Sequence, residues 1–507
     1  MYRQPKTSIK VARFGDGLTA KALRGGAWLG AGSVAEQTAR FVRNLILVRL
    51  LAPSAFGTMA IVLSVSSVLG AFTEVGVREA LVQSPRGTDH RYVEAAWWIA
   101  FGRAAATYIF LFVAAPGVAR FYGNTELSLL LRVAVIGLLF EGAMSAKAYV
   151  ALKSMNYSRW AGIVHGGGII GVLTTVLLSF LIRDVWALVL GSCAESVARC
   201  VLSYVICPFL PTLHCDRSAL KELLNFSRGL FGLSFLNLVF MRTDVFILAK
   251  LFPVAEVGLY TMAVYLIQVP AGFIINLVGQ IVVPAFSQIQ HDPARTNRIV
   301  IRTATIVASA ALPALIFVCF NGQSLLRLIY GQPYTAAVTP FVVASWVALI
   351  NVLNAPLTGV FYAAGRPELH RRCVAAMAIG MALLTYPLAK RFGPLGGQLA
   401  CLMAISVGFG IQLERIRCVT SLNLKQYGRT LLLPAAVSSV TVLFCVGGRL
   451  LIPSAQHLLT ISCGIGGCFL AYGMLVKMLS ARVNAVRNGA SNELSCAERL
   501  QDTFLAQ

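Results

Sequence analysis

Charged residues are scarce in this chain, and acidic residues are the scarcest of them. Only 12% of the 507 residues are Asp, Glu, Lys or Arg, whereas 57% are hydrophobic. Soluble globular proteins average about 25% charged residues, so this composition excludes an ordinary soluble fold. Apolar runs of roughly 18 residues or more recur along the whole chain, and each is long enough to cross a bilayer as a helix.

The shortage of acidic residues leaves a large positive excess. The chain has 20 Asp and Glu against 43 Lys and Arg, so its formal net charge is +23. A nucleic-acid-binding protein would gather this charge into a basic patch. Here the basic residues lie singly or in short clusters between apolar runs, as in the loops that set membrane topology. The pattern excludes nucleic acid as a partner.

Cofactor motifs are also lacking. None of the 12 cysteines forms a C-x-x-C motif and the six histidines are isolated, so no metal site is predicted. The glycine-rich "GGAWLGAG" (25–32) lacks the Lys-Ser/Thr ending of a phosphate loop. Close helix packing is the better interpretation of these glycines and of "GIGG" (464–467). We therefore expect no cofactor, with H⁺ or Na⁺ as the candidate coupling ion.

Fourteen apolar segments follow one another along the chain. Because backbone polar groups inside hydrocarbon must be bonded internally, they predict an all-α integral membrane protein with about 14 transmembrane helices. Their approximate bounds are 26–51, 56–82, 93–115, 128–150, 161–182, 185–207, 223–248, 257–283, 299–320, 337–362, 371–389, 395–416, 429–451 and 455–478.

Lys and Arg are distributed unevenly between alternate loops. The segments predicted to be cytoplasmic hold 29 of these residues and the external segments hold 8, which places both chain ends in the cytoplasm. Residues 1–24 are basic and precede an apolar run too long for a signal peptide, so we expect a retained cytoplasmic tail. The cytoplasmic segments are 1–24, 83–92, 147–160, 199–228, 286–302, 366–372, 415–429 and 477–507.

A stripe of charge lies inside the first predicted helix. At about 100° per residue, Glu36, Arg40 and Arg43 lie within roughly 60° of one another, and Asn44 extends the stripe. Glu36 and Arg40 have the i,i+4 spacing of an ion pair. An arginine at mid-bilayer costs roughly 2.5–3.5 kcal/mol, so it should face a cavity or a partner. Arg49, farther round and at the outer end, is predicted to be an interface anchor.

This helix recurs later in the chain. "LILVRLLAPSAFG" (45–57) aligns without gaps on "FILAKLFPVAEVG" (246–258), and after two inserted residues "TMA" (58–60) aligns on "TMA" (261–263). Six helices separate the copies, so their orientation is the same. Parallel repeats are typical of secondary transporters, with the substrate path between the two halves.

The repeat predicts the organisation of the chain and places charge at equivalent depths. Arg43 aligns with Asp244, and Phe41 aligns with Arg242, which favours a lined cavity over isolated charges. The predicted parts are a basic tail (1–24), an N-terminal six-helix lobe (25–222), a C-terminal six-helix lobe (223–420), two appended helices (421–478) and a cytoplasmic tail (479–507).

Both copies of the repeat resemble the polysaccharide flippases (Wzx-type) of the multidrug/oligosaccharidyl-lipid/polysaccharide exporter superfamily. The resemblance rests on "RFVRNLILVRLLAPSAFGTMAIVLSVSSVLGAFTEVGV" (40–77) and "RTDVFILAKLFPVAEVGLYTMAVYLIQVPAGFIINLVGQIVVPAFSQIQHDPAR" (242–295). It extends over about residues 22–420, and "LIYGQPYTAAVTPFVVASW" (328–346) also fits. The segment 421–507 matches by helix count alone.

The resemblance implies a non-enzymatic function and a set of partners. Such flippases move an undecaprenyl-pyrophosphate-linked oligosaccharide across the bacterial inner membrane, for surface or exopolysaccharide synthesis, by alternating access through a central cavity. The expected partners are this lipid-linked oligosaccharide and membrane lipids, with a polysaccharide polymerase and co-polymerase beside them. A pyrophosphate needs cations, and Arg binds phosphate bidentately while remaining protonated.

The charged and polar residues inside the helices are the candidate site. The substrate-binding candidates are Arg40, Arg43, Asn44, Arg103, Arg242, Gln268, Asn276 and Gln280, and the ion-coupling candidates are Glu36, Glu74 and Asp244. Arg103 either joins Arg40 and Arg43 or pairs with Glu74 or Glu141. The three polar residues of the eighth helix fit sugar binding and interhelical hydrogen bonding equally well.

Three other functions compete with this one. A lipid II flippase of the same fold differs only in substrate. A drug/cation antiporter would need an acidic cavity, whereas this one is predicted to be cationic. A polysaccharide polymerase or ligase would carry a large external loop, and no predicted external loop exceeds about 20 residues.

The predicted topology can be tested with truncated fusions to alkaline phosphatase, which is active only outside the cytoplasm. A fusion after Arg183 should be active, because this residue lies in a predicted external loop. A fusion after Lys153, in a predicted cytoplasmic segment, should be inactive. The opposite pattern would invert the topology.

Overall fold

All regular structure in the described part of the chain is helical. The computed structural model describes residues 16–73, 77–84, 86–212, 219–223, 233–288, 293–420, 422–451 and 462–478, and no strand occurs in these ranges. The predicted all-α fold class is confirmed. Helices are the expected outcome because they satisfy backbone hydrogen bonds within each segment.

Eight helices cover the first part of the chain. They are α1 (Asp16–Leu50), α2 (Pro53–Thr73), α3 (Val77–Gln83), α4 (His90–Tyr122), α5 (Glu126–Gly142), α6 (Lys147–Lys153), α7 (Tyr157–Leu181) and α8 (Val185–Ile206). The two ends of α4 show how the sequence starts and stops a helix. The Asp89 carboxylate caps α4 by accepting from the Arg91 N–H at 3.2 Å, and Gly123 ends the helix in the left-handed conformation at φ 69°.

The second part of the chain repeats this succession of long helices. They are α9 (Leu233–Leu251), α10 (Val254–Gln288), α11 (Pro293–Ile329), a 3₁₀ turn (Gln332–Ala337), α12 (Val338–Ala363), α13 (Pro367–Phe392), α14 (Leu395–Thr420), α15 (Leu424–Leu451) and α16 (Ser462–Met478). Pro270, Pro313, Pro356 and Pro434, where kinks were expected, all lie inside these helices.

Within the described ranges, ten helices are long and apolar enough to cross a membrane, or eleven if α5 and α6, which meet at a 56° bend, form one span. The helices α1 and α9 are not among the ten, and both carry charged side chains well inside their length. The 17-residue α16 is shorter than the ten. The count of fourteen spans therefore stays a prediction.

The chain forms two compact units, which divide between Phe235 and Leu236. Within the first unit, α4 packs on α5, α5 on α8, α8 on α7, and α7 on α1, while α2 packs against α5. Within the second unit, α11 packs on α12, α12 on α14, α14 on α13, and α10 on α12.

These pairings correspond helix by helix. When α2, α4, α5, α7 and α8 are matched in order to α10, α11, α12, α13 and α14, four packed pairs of the first unit recur in the second. The sequence repeat is thus accompanied by a repeat of internal packing. The predicted lobe boundaries and the separate status of residues 421–478 stay predictions.

Two basic residues lie deep inside their helices. His165 lies well inside α7. Arg199, counted with the cytoplasmic loop 199–228, lies inside α8 two turns before its end. His165 pairs with Glu36 of α1, and Arg199 pairs with Glu36 and with Glu195 of its own helix, and these carboxylates make the deeper position possible.

Candidate functional site

An ion-pair cluster joins three helices of the first unit. We use the name charged cluster for Glu36 and Arg40 of α1, His165 of α7, and Glu195 and Arg199 of α8. The Nη2 atom of Arg40 lies 2.7 Å from Glu36 Oε1 and 2.6 Å from Glu195 Oε1. The predicted pairing of Glu36 with Arg40 is confirmed, and Glu195 is an additional partner.

The other two members close the charged cluster. Arg199 Nη2 lies 2.6 Å from Glu195 Oε1 and 3.6 Å from Glu36 Oε1. On the opposite side of Glu36, its Oε2 atom lies 2.7 Å from His165 Nδ1. Each carboxylate therefore contacts two or three basic side chains, and each guanidinium contacts both carboxylates.

Because these charged side chains are largely buried, each of them needs an opposite charge beside it. The side chains of Glu36 and Glu195 are 11% and 14% exposed, and those of Arg40 and Arg199 are 21% and 22% exposed. Removing one member of a buried ion pair typically costs about 3–5 kcal/mol, because the other charge is left without a partner. Arg40 is thus held by protein carboxylates, which argues against a role as an open anion ligand.

Glycines create the space for the charged cluster. A methyl group at Gly168 would collide with the Glu36 carboxylate, one at Gly167 with Arg199, and one at Gly171 with Glu195. On α1, a methyl group at Gly32 would collide with the His165 ring. Gly32 belongs to "GGAWLGAG", and the expected close helix packing holds at this glycine, whereas Gly30 has open space beside it. The same holds for "GIGG", where a methyl group at Gly464 would meet Phe317 at 2.7 Å.

Two further candidates of the first unit are Arg43, one turn beyond Arg40 on α1, and Arg103 of α4. Arg43 is half-buried and its Nε donates to Asn44 Oδ1 at 3.2 Å. Arg103 is half-buried in α4 and interacts electrostatically with Glu141 of α5, as Arg199 does. Of the alternatives open for Arg103, the interaction with Glu141 is present, and Glu74 lies outside the described residues.

The second unit has a neutral counterpart, a buried chain of hydrogen bonds. The hydroxyl of Tyr260 in α10 donates to Asp244 Oδ2 of α9 at 2.6 Å, and Gln398 Nε2 of α14 donates to the Tyr260 oxygen at 2.7 Å. Asp244, Tyr260 and Gln398 are 9%, 1% and 3% exposed. Tyr260 is one of the two residues inserted between the aligned repeats, so the first unit has no equivalent side chain.

The other candidates of the second unit are not gathered into one cluster. Arg242 is half-buried and acts electrostatically on Asp244. Gln268 and Asn276 are exposed on α10, and the side chain of Gln280 lies outside the described residues. Their roles stay predictions.

Three members of the charged cluster were missed in the sequence: His165, Glu195 and Arg199. One signal was available for two of them. Glu195 and Arg199 repeat, in an apolar helix, the i,i+4 spacing of Glu36 and Arg40. His165 stands directly before "GGG", whose packing role is apparent only when α1 and α8 are in place.

The fold is that of a known class of membrane transporters. The lipid II flippase MurJ, in an inward closed conformation, matches with a TM-score of 0.72 over 90% of this chain and 99% of its own, at 12% identity. An inward-facing multidrug resistance MATE family transporter of the MOP superfamily matches with a TM-score of 0.58 over 76% of this chain and 96% of its own, at 14% identity.

Sequence comparison gives the family within this class. The polysaccharide biosynthesis protein family matches residues 46–339, more than half of the chain. The chain belongs to this family, as the resemblance of the repeats predicted. It is a multi-pass membrane protein, and the family and fold neighbours are transporters and flippases rather than enzymes.

Three bacterial relatives illustrate the family. The teichuronic acid biosynthesis protein TuaB of Bacillus subtilis is 22% identical over 76% of this chain and 79% of its own. The lipopolysaccharide biosynthesis protein WzxC of Escherichia coli is 19% identical over 77% of this chain and 78% of its own. The succinoglycan biosynthesis transport protein ExoT of Rhizobium meliloti is 21% identical, with 59% of this chain matching 60% of its length.

The glycine face of α7 gives a stability prediction. Gly171→Ala should destabilise the protein by about 1–3 kcal/mol, because the new methyl group collides with Cβ of Glu195 and forces α7 and α8 apart. Gly162→Ala is the matched control in the same helix, since its methyl group would meet only Ile206, at 3.4 Å. Thermal unfolding of the purified protein measures both variants. Equal midpoints would show that α7 and α8 tolerate the extra volume.

Proposed function

We propose that this transporter is a flippase for undecaprenyl-pyrophosphate-linked oligosaccharide, acting by alternating access in the bacterial inner membrane with both chain ends in the cytoplasm. The observation that carries the proposal is a positive excess among the described charges at and beside the charged cluster. Four arginines (Arg40, Arg43, Arg103 and Arg199) stand there against three glutamates (Glu36, Glu141 and Glu195).

The positive excess suits an anionic substrate. Arg43 and Arg103 are both half-buried inside their helices, and they are the candidates for the pyrophosphate. A guanidinium remains charged in a low-dielectric surrounding and donates two parallel hydrogen bonds to phosphate. The relatives' names, which mention teichuronic acid, lipopolysaccharide and succinoglycan, support a polysaccharide precursor as the transported molecule.

The role of Arg43 can be tested by polymer export in cells. Arg43→Ala should lower export roughly 10- to 100-fold, the loss of one charge-assisted hydrogen-bonding group, while the protein stays in the membrane. Arg49→Ala is the matched control, since it removes an arginine from the same helix at an exposed position. Undiminished export by Arg43→Ala at normal protein levels would remove Arg43 from the substrate site.

Coupling to an ion gradient is the second part of the proposal. Asp244 is a candidate to bind H⁺ or Na⁺, because its carboxylate is buried and is held by neutral hydrogen-bond donors, with Tyr260 the nearest. Glu36 is the weaker candidate, since His165, Arg40 and Arg199 surround its carboxylate. Glu74 stays a candidate from sequence alone.

Asp244→Asn tests the coupling site. The variant keeps the side-chain volume but cannot take up and release a cation, so transport into vesicles should no longer respond to an imposed proton or sodium gradient. The control Asp184→Asn changes an exposed carboxylate that caps α8 in the same protein. If transport by Asp244→Asn keeps its full gradient dependence, Asp244 is not the coupling site.

A lipid II flippase is the second candidate function, favoured by the TM-score of 0.72 to MurJ. Both substrates carry a polyprenyl pyrophosphate, so the cationic residues suit either one. Transport assays with the two lipids in vesicles separate the candidates, and faster movement of lipid II would replace our proposal. A polysaccharide polymerase and co-polymerase are the protein partners that such a flippase would supply with substrate.

A further inference from the structure

A second cationic site lies in the first unit, away from the charged cluster. A cavity of about 350 Å³ opens where α4 and α7 begin, beside α6 and the end of α8. Three basic side chains line it: His90, Lys147 and Arg159. Ser154 and Cys207 also contribute to the wall, and none of the wall residues that the structure describes is Asp or Glu.

The cations of this cavity face a shared space. Lys147 and Arg159 are exposed, and both act electrostatically on the Cys207 thiol. Neither forms an ion pair with a carboxylate within the described ranges. His90 lies 3.3 Å from Glu94, whose carboxylate also accepts from the backbone N–H and the hydroxyl of Thr212. Glu94 is therefore satisfied by donors outside the cavity.

The three chain segments that form this cavity were all predicted to be cytoplasmic. His90 belongs to segment 83–92, Lys147 and Arg159 to segment 147–160, and Cys207 to segment 199–228. An even number of predicted helices separates these segments, so all three should lie on the same side of the membrane. Their meeting at one end of the unit agrees with that expectation. The cavity then faces the inner leaflet, where anionic phospholipids attract basic residues.

Aromatic and apolar side chains lie close in the chain to the residues that line the cavity. Tyr149 and Trp160 pack with ring centroids 5.6 Å apart, and the Trp98 indole N–H donates to the Thr212 carbonyl at 2.9 Å. Leu210 is 85% exposed close by in the chain, and Val205 on α8 is 68% exposed. Tyr and Trp are enriched at headgroup level, and exposed apolar residues contact acyl chains.

From this arrangement we propose that the cavity binds the phosphate of an anionic phospholipid from the cytoplasmic leaflet. Lys147 and Arg159 supply the charge, while the Ser154 hydroxyl, which donates to the Ala151 carbonyl, forms part of the wall. The exposed apolar surface beside the cavity accommodates the acyl chains, which a soluble phosphate would not require. This lipid site shares no residue with the charged cluster and does not depend on which substrate is transported.

Native mass spectrometry of the full-length protein, released from nanodiscs of phosphatidylglycerol and phosphatidylcholine, tests the proposal. The double variant Lys147→Gln/Arg159→Gln should retain phosphatidylglycerol about 25-fold less well, roughly fivefold for each charge removed. Arg120→Gln/Arg391→Gln is the matched control, because it removes two exposed arginines elsewhere and lowers the net charge equally. Equal retention by the two double variants would overturn the proposal.

A second variant distinguishes loss of binding from loss of folding. Ser154→Glu places a carboxylate at the exposed wall of the cavity and leaves both cations in place, so it should also expel phosphatidylglycerol while unfolding at the wild-type temperature.

Inorganic phosphate and a polyprenyl pyrophosphate serve as competitors. Displacement of phosphatidylglycerol by phosphate at equal concentration would assign the cavity to a soluble anion, and preferential displacement by the pyrophosphate would assign it to the transported lipid. Either result would replace the phospholipid proposal.

Discussion

A charge inside hydrocarbon is stable only beside an opposite charge, and the first unit of this transporter is arranged around that constraint. Glu36 and Arg40 of α1 do not compensate each other alone, because Arg40 also contacts Glu195 and Glu36 also contacts Arg199 and His165. The resulting charged cluster requires α1, α7 and α8 to lie close together. Small residues on α7 make that approach possible, as they do in other helical membrane proteins.

The two units share a packing scheme but differ in the chemistry of their first helices. Four packed helix pairs recur, which indicates that the scaffold tolerates either arrangement. In the first unit, a network of ion pairs holds the polar stripe of α1. In the second, Asp244 receives a hydrogen bond from Tyr260, which receives one from Gln398. A carboxylate that accepts hydrogen bonds from neutral groups, with one arginine acting on it, has less positive charge around it than one bonded to two guanidinium groups, so the two units differ in their local chemistry.

Local spacing in the sequence predicted much of this arrangement. Apolar run length predicted the helices, and the i,i+4 rule predicted the pair formed by Glu36 and Arg40. Contacts between distant residues followed no such rule. Glu195 lies 155 residues from Arg40 in the chain. The two side chains meet only because α1 and α8 both pack against α7. The role of Tyr260 could not be predicted from the repeat, because this residue belongs to the two-residue insertion and has no aligned counterpart.

The sequence left the choice between lumen residue and structural partner open, and the structure resolves it for some residues. Arg40 is bound by carboxylates, which its helical angle could not indicate because both lumen-facing and partner-facing stripes have the same period. Arg103 lies near Glu141, one of its predicted partners. Arg43 and Arg242 are half-buried and stay predicted lumen residues.

The shared carboxylates of the charged cluster also have a consequence for inheritance. Glu195 contacts Arg40 and Arg199 at the same oxygen, so no single neutral substitution at these positions leaves the remaining charges balanced. A lineage can therefore lose charges of the cluster without imbalance only in pairs of opposite sign, such as Glu36 with Arg40 on α1 or Glu195 with Arg199 on α8. We expect relatives of this chain to lack these side chains in such pairs, with the glycines of α7 retained where the set is complete.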